Sequence, residues 1–327
     1  MKLNGFLLAL TFVLTVLSTG GYWSIIGSYQ SPPGAGILPS MLAFLGNLFL
    51  TGILIFLFGR LPLWAALGWT LFLTIASGWM ERSWMAVAVY LALTLLPAAA
   101  AGLAVARKIS YGRLLLVLAL SALAPTGLFV SFAFSSVKLQ LLALGETMKQ
   151  MLAGFGAGIG SSMQAAELQK AVQSYLELIV SLIPALYFIS SFFFLSLAHF
   201  LAIWALGRFG IFSPGPKNFI TWQAPFFLVF LLGAGLAGHL FLENGWVKAA
   251  DNLLLVVVFA YAVCGTSNLE YFFKKLRAYW VVKGLFYVWL VLFGLASFFI
   301  LSAVGFLDSR FDFRGLKKVT LAKESEE

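Results

Sequence analysis

The chain has 327 residues, of which 61% are hydrophobic and 10% charged, with a mean hydropathy of +0.98 and a formal net charge of +9. A soluble domain carries about 25% charged residues, so this composition excludes a soluble enzyme, a disordered regulator and a secreted disulfide scaffold. A single cysteine, Cys264, leaves no internal disulfide and no multi-cysteine metal site, and the positive charge points to loops facing anionic lipid rather than to nucleic acid.

A bilayer core of about 30 Å takes about 20 apolar residues per helix. Nine stretches of that kind follow one another, at 6–27, 37–58, 62–80, 84–106, 113–135, 176–207, 222–242, 251–269 and 281–305. The apolar runs are continuous, whereas barrel strands alternate over about 10 residues. The expected fold class is therefore all-α: a polytopic integral membrane protein of eight or nine transmembrane helices, one membrane domain over 1–327. The first stretch, Phe6 to Leu17 followed by Ser18-Thr19-Gly20, resembles a signal peptide. Its apolar character runs on through Tyr22 and Ile26, so an uncleaved first span is expected.

Three prolines and two glycines between Ser31 and Ser40 cannot continue a helix. That segment reads either as a surface loop or as a re-entrant element beside a cavity. Glu81-Arg82 reads as a tight turn between two spans. Trp23, Trp79, Trp84, Trp204, Trp222, Trp246 and Trp280 fall near predicted ends of spans, where an indole prefers the headgroup level. Trp69 and Trp289 fall inside spans and are expected to pack between helices.

Between the fifth and sixth spans, 136–175 is amphipathic. Leu141, Leu144, Met148 and Leu152 recur at spacings of three and four, and Leu168, Val172 and Tyr175 share a second face. The glycine run from Gly154 to Gly160 separates the two. An interfacial helical hairpin is expected, as a plain connector or as a lid. The glycine run is no phosphate loop, because no Gly-Lys-Ser/Thr follows it. Pro184 should kink the long sixth span. Gly233, Gly235 and Gly238 should let the seventh helix approach a neighbour closely.

With the N-terminus in the cytoplasm, Arg107, Lys108, Arg113, Arg208, Lys217, Lys274, Lys275, Arg277 and Lys283 all lie inside, as the positive-inside rule asks. Nine spans would carry the polar tail, 306–327, outside with five cations; eight spans, one segment being re-entrant, would keep it inside. The side of the tail stays open at this point.

Polar side chains inside lipid are costly, and mark candidate sites. Asn47, His199, Gln223, His239 and Glu243 are the candidate substrate-binding residues, with Asn268 and Glu270 beside them. His239 and Glu243 are four apart and should share a helix face as a hydrogen-bonded pair. His199 reads as a neutral imidazole bonded to a carbonyl rather than a metal ligand. The alternating Asp308, Arg310, Asp312 and Arg314 read as exposed pairs that anchor the last helix. No catalytic constellation, metal site or cofactor motif is apparent, so no enzyme activity and no cofactor are expected.

Four short motifs carry a resemblance. They are Ile220-Thr221-Trp222-Gln223-Ala224-Pro225, Asp251-Asn252-Leu253-Leu254-Leu255, Leu182-Ile183-Pro184-Ala185-Leu186, and the run from Gly305 to Arg314. Together they resemble the YybS-like family of bacterial membrane proteins, a domain of unknown function, over nearly the whole chain. The layout of the N-terminal half is similar to substrate-binding components of energy-coupling-factor transporters. What that similarity implies is a small-molecule site among the first helices, in a transport-related protein of the bacterial inner membrane. A scaffold or regulatory subunit that binds other membrane proteins is the alternative, and a lipid bilayer is the partner either way.

Overall fold

The computed structural model describes residues 37–81, 91–107, 109, 111–159, 162–208, 219–243 and 245–316. The first predicted span, the segment 31–36, Arg82 and the tail beyond Leu316 lie outside the described residues. Within them every regular element is helical. The ten α-helices are α1 (Ile37–Arg60), α2 (Leu63–Glu81), α3 (Leu96–Ala106), α4 (Tyr111–Leu128), α5 (Phe134–Ile159), α6 (Ser162–Arg208), α7 (Phe227–Phe241), α8 (Gly245–Lys275), α9 (Trp280–Leu292) and α10 (Gly294–Phe311). Four are long and apolar enough to cross a bilayer over 113–132, 170–205, 245–275 and 294–311. Shorter apolar stretches lie at Asn47–Gly59, Trp64–Ala76, Leu96–Ala106, Phe227–Phe241 and Trp280–Leu292.

Several of the expected boundaries move: α6 starts at Ser162 rather than 176, α7 at Phe227 rather than 222, and α8 runs Gly245–Lys275 rather than 251–269. The fifth span does not end at 135: a π-helical turn at Phe129–Ala133 joins α4 to α5, so helix runs from Tyr111 to Ile159. Pro125 lies one turn before that π-turn, and a missing N–H loosens the ladder without ending it. The amphipathic stretch 136–175 is thus α5 and the start of α6, each continuous with an apolar helix. The predicted ninth span, 281–305, is not one helix. It breaks between α9 and α10 at Phe293-Gly294, where Gly294 has φ +30°. Glycine reaches that region without steric penalty, and nothing in the apolar pattern on either side marks the break.

The contacts divide the chain into two compact units, Met1–Ser135 with Ser190–Gly215, and Ser136–Ile189 with Pro216–Glu327. In the first unit α1 packs on α3. A Cβ on Gly102 would overlap the side chain of Phe58, so the two backbones meet there. A π-helical turn at Leu91–Leu95 leads into Pro97 and carries Thr94. The Thr94 hydroxyl donates to the Asn47 carboxamide at 2.8 Å, a buried bond between α1 and that turn.

The second unit is built around α8. Gly235 and Gly238 of α7 lie against Leu254 and Ala250 of α8, as expected of a small-residue face; Gly233 is exposed and takes no part. Leu228 at the other end of α7 packs on the cluster of Val257, Tyr261 and Cys264, so α7 and α8 are antiparallel. The tightest approach, however, is between α8 and α10. A Cβ on Gly265 would overlap the Leu301 carbonyl, and one on Gly305 the Tyr261 carbonyl. The Ser302 hydroxyl reaches the Val258 carbonyl at 2.9 Å, and Phe306 stacks edge-on against Tyr261. Val258 with Ser302 and Tyr261 with Gly305 set the direction: α8 and α10 run parallel. Trp289 does not pack between helices; it is 42% exposed on α9, beside Phe286 and Phe293.

Candidate functional site

The polar side chains of the second unit fall into several groups. The largest lies where α8 and α10 reach the same end. Asp312 closes α10 in the left-handed region, at φ 48°, which Asp tolerates better than most residues. The chain turns back and Arg314 enters the protein. Its guanidinium Nε and Nη2 donate to Asp308 Oδ2 at 3.1 and 2.6 Å. Nη1 donates to the Ser267 hydroxyl at 2.8 Å and to the Ile220 carbonyl, and Nη2 to the Trp222 carbonyl. Ser267 in turn donates to the Phe219 carbonyl. Gln223 donates to Asp312 Oδ1 at 2.8 Å, and that oxygen also accepts the Leu316 N–H at 2.9 Å.

The pair is buried, with Asp308 1% and Arg314 6% exposed. This corrects the expectation of exposed anchoring pairs. The alternation of charge could not reveal it, because the left-handed turn at Asp312 is what sends Arg314 inward. A buried carboxylate and guanidinium persist only when paired and hydrogen-bonded. All five N–H groups of Arg314 have acceptors, so no donor is left for a ligand. The arrangement ties the 219–223 segment, α8 and the end of α10 together. Asp308 Oδ1 and both amide atoms of Asn268, one residue from Ser267, have no hydrogen-bond partner among the described residues.

The second group repairs a helix. Asn252 of α8 accepts the Ala185 N–H at 2.7 Å and donates to the Ser181 carbonyl at 2.7 Å. Those two backbone groups are the i to i−4 pair beside Pro184, whose ring disturbs the ladder at this turn. The Asn252 carboxamide spans them. The third group joins α7 to α8 at the opposite end: His239 Nδ1 lies 2.6 Å from Asp251 Oδ1. Its partner is not Glu243 as the spacing suggested. The helix stops at Phe241, Leu242 is extended at ψ 160°, and Glu243 is exposed beyond it. Glu270 pairs with Lys283 at 3.1 Å and accepts from Tyr287 at 2.7 Å, linking α8 to α9.

The structure therefore uses Asn47, Gln223 and His239 in hydrogen bonds between elements, and leaves Glu243 in the open. His199, on α6 in the first unit, differs from all of them. It is 2% exposed, and neither ring nitrogen has a hydrogen-bond partner among the described residues, so the expected carbonyl bond is not made. Thr51 of α1 is fully buried in the same unit, and its hydroxyl also lacks a partner there. A cavity of about 150 Å³ elsewhere in the same unit is lined by Phe49, Gly52, Phe56, Leu201 and Trp204, with neither His199 nor Thr51 in its wall. Sequence reasoning missed Thr51, Asp251, Asn252 and Ser267. A polar residue inside an apolar helical run was the available signal for each. No group of three His, Cys, Asp or Glu side chains able to hold a metal occurs among the described residues.

Long apolar helices with exposed aromatic and aliphatic faces, held together by buried polar ties, define a helical membrane protein. A family model described as predicted membrane protein (DUF2232) matches residues 34–309, and the chain belongs to that family. No curated protein and no solved structure matches it.

Proposed function

We propose that this is a non-enzymatic multi-pass protein of the bacterial inner membrane that binds a small molecule, in a transport-related role, through the first unit. His199 carries the reading. A buried polar group without a partner costs about 1–3 kcal/mol, and intramembrane ionisable residues mark ligand or ion paths by default. The Thr51 hydroxyl, unpartnered among the described residues of the same unit, supports it. The likeness in layout to substrate-binding components of energy-coupling-factor transporters, and to the YybS-like proteins, belongs to the same proposal, as do eight bilayer crossings.

The test is a thermal-shift screen of the purified protein in detergent against vitamins and small metabolites. One ligand should raise the melting temperature by several degrees, and His199→Phe should abolish that shift while the protein stays folded. A flat response across the panel contradicts the reading. One observation favours a scaffold role instead: Leu139, Leu144 and Met151 on α5 and Tyr175 on α6 are 53–68% exposed. A stoichiometric membrane-protein partner recovered by crosslinking, with no ligand found, would decide for it.

A further inference from the structure

One end of the second unit collects cations. α8 and α10 run parallel, so the turn after Lys275 and the segment after Phe311 emerge at the same end. Lys274, Lys275 and Arg277 are exposed there. None has a carboxylate within salt-bridge distance among the described residues, whereas neighbouring Lys283 is neutralised by Glu270. Arg277 itself closes α8 at φ 50°, and the Ala278 N–H returns to the Phe273 carbonyl, which fixes the turn. Leu276, Tyr279 and Trp280 flank the cations, 74%, 80% and 82% exposed. The opposite end, between α7 and α8, holds Lys248 with Glu243 and Asp251. Free cations set among exposed aromatic and apolar side chains match a layer of anionic headgroups above hydrocarbon.

We propose that Lys274, Lys275 and Arg277 dock on the anionic headgroups of the cytoplasmic leaflet. The 276–280 turn and the C-terminal segment then leave the membrane together on that side. The chain leaves that end through α9 and returns to it through α10, so 281–305 is not a single crossing. This rests on the multi-pass reading above.

Two measurements test it. In a Cys264→Ala background, Leu276→Cys, Phe313→Cys and Trp246→Cys are probed with a membrane-impermeant maleimide. The first two should react in inverted vesicles and be protected in intact spheroplasts, and Trp246→Cys should do the reverse. Reaction of either of the first two from the spheroplast exterior overturns the proposal. Equal reaction of all three from both sides would instead count against the spanning architecture itself. The full chain is then melted in nanodiscs of phosphatidylglycerol and of phosphatidylcholine. The anionic lipid should raise the melting temperature, and Lys274→Gln/Lys275→Gln/Arg277→Gln should lose at least half of that gain. Inorganic phosphate added to the phosphatidylcholine discs should give no gain. An undiminished gain in the triple variant overturns the proposal, as does a gain from free phosphate.

Discussion

Arg314 lies six residues beyond Asp308, past the end of α10, and yet their side chains meet at 2.6 Å inside the protein. Removing one partner of a buried pair leaves an uncompensated charge and costs about 3–5 kcal/mol. Arg314→Met should therefore lower the melting temperature in detergent sharply, and adding Asp308→Leu should restore most of the loss. If the double variant is as unstable as the single, the guanidinium's bonds to the Ile220 and Trp222 carbonyls matter more than the charge. Asn252 makes a second prediction. Its cost on replacement by Leu should be about 1–3 kcal/mol, the price of unsatisfied buried groups. In a Pro184→Ala background, where the ladder can close, Asn252→Leu should cost measurably less. Equal costs in both backgrounds would mean that the amide does not serve the proline turn. At this scale the sequence announced which residues are polar in an apolar setting, such as Gln223 and His239. It could not announce their partners, because Asp251 and Asp312 are set by where α7 stops and how α10 ends.

At the scale of the element, hydropathy located two helices closely and misplaced the ends of others. α1 and α2 follow the predicted stretches 37–58 and 62–80 to within two residues at each end. It failed where helices break or persist for reasons a running average does not see. The break before α10 depends on one glycine, Gly294. The run from α4 to α5 persists because a π-turn absorbs Pro125 rather than ending the helix. Small residues were legible as packing sites, but not which ones matter. Gly265→Ala and Gly305→Ala place a Cβ onto backbone atoms, and overpacking of this kind costs about 1–3 kcal/mol or more. Both should lower folded yield and melting temperature. Gly233→Ala should be neutral within error, since nothing lies within 4 Å of its added Cβ. Equal losses at Gly233 and Gly265 would contradict the crossing of α8 and α10 described above.

At the scale of the whole molecule, the composition is the strongest statement the chain makes. Exposed faces carry Phe241, Trp280 and Val291 at 79–82% exposure, and water does not stabilise so many large apolar side chains on one surface. The buried polar contacts make sense in the same terms. Hydrocarbon supplies no hydrogen bonds, so the backbone carbonyls of Phe219, Ile220 and Trp222 and the turn at Pro184 are satisfied by Arg314, Ser267 and Asn252. The central claim is that lipid, not water, surrounds these helices. The most direct measurement is an alkaline carbonate wash of membranes from cells expressing the full chain, followed by ultracentrifugation. The account predicts that the protein stays in the pellet and is released only by detergent; recovery in the carbonate supernatant would contradict it.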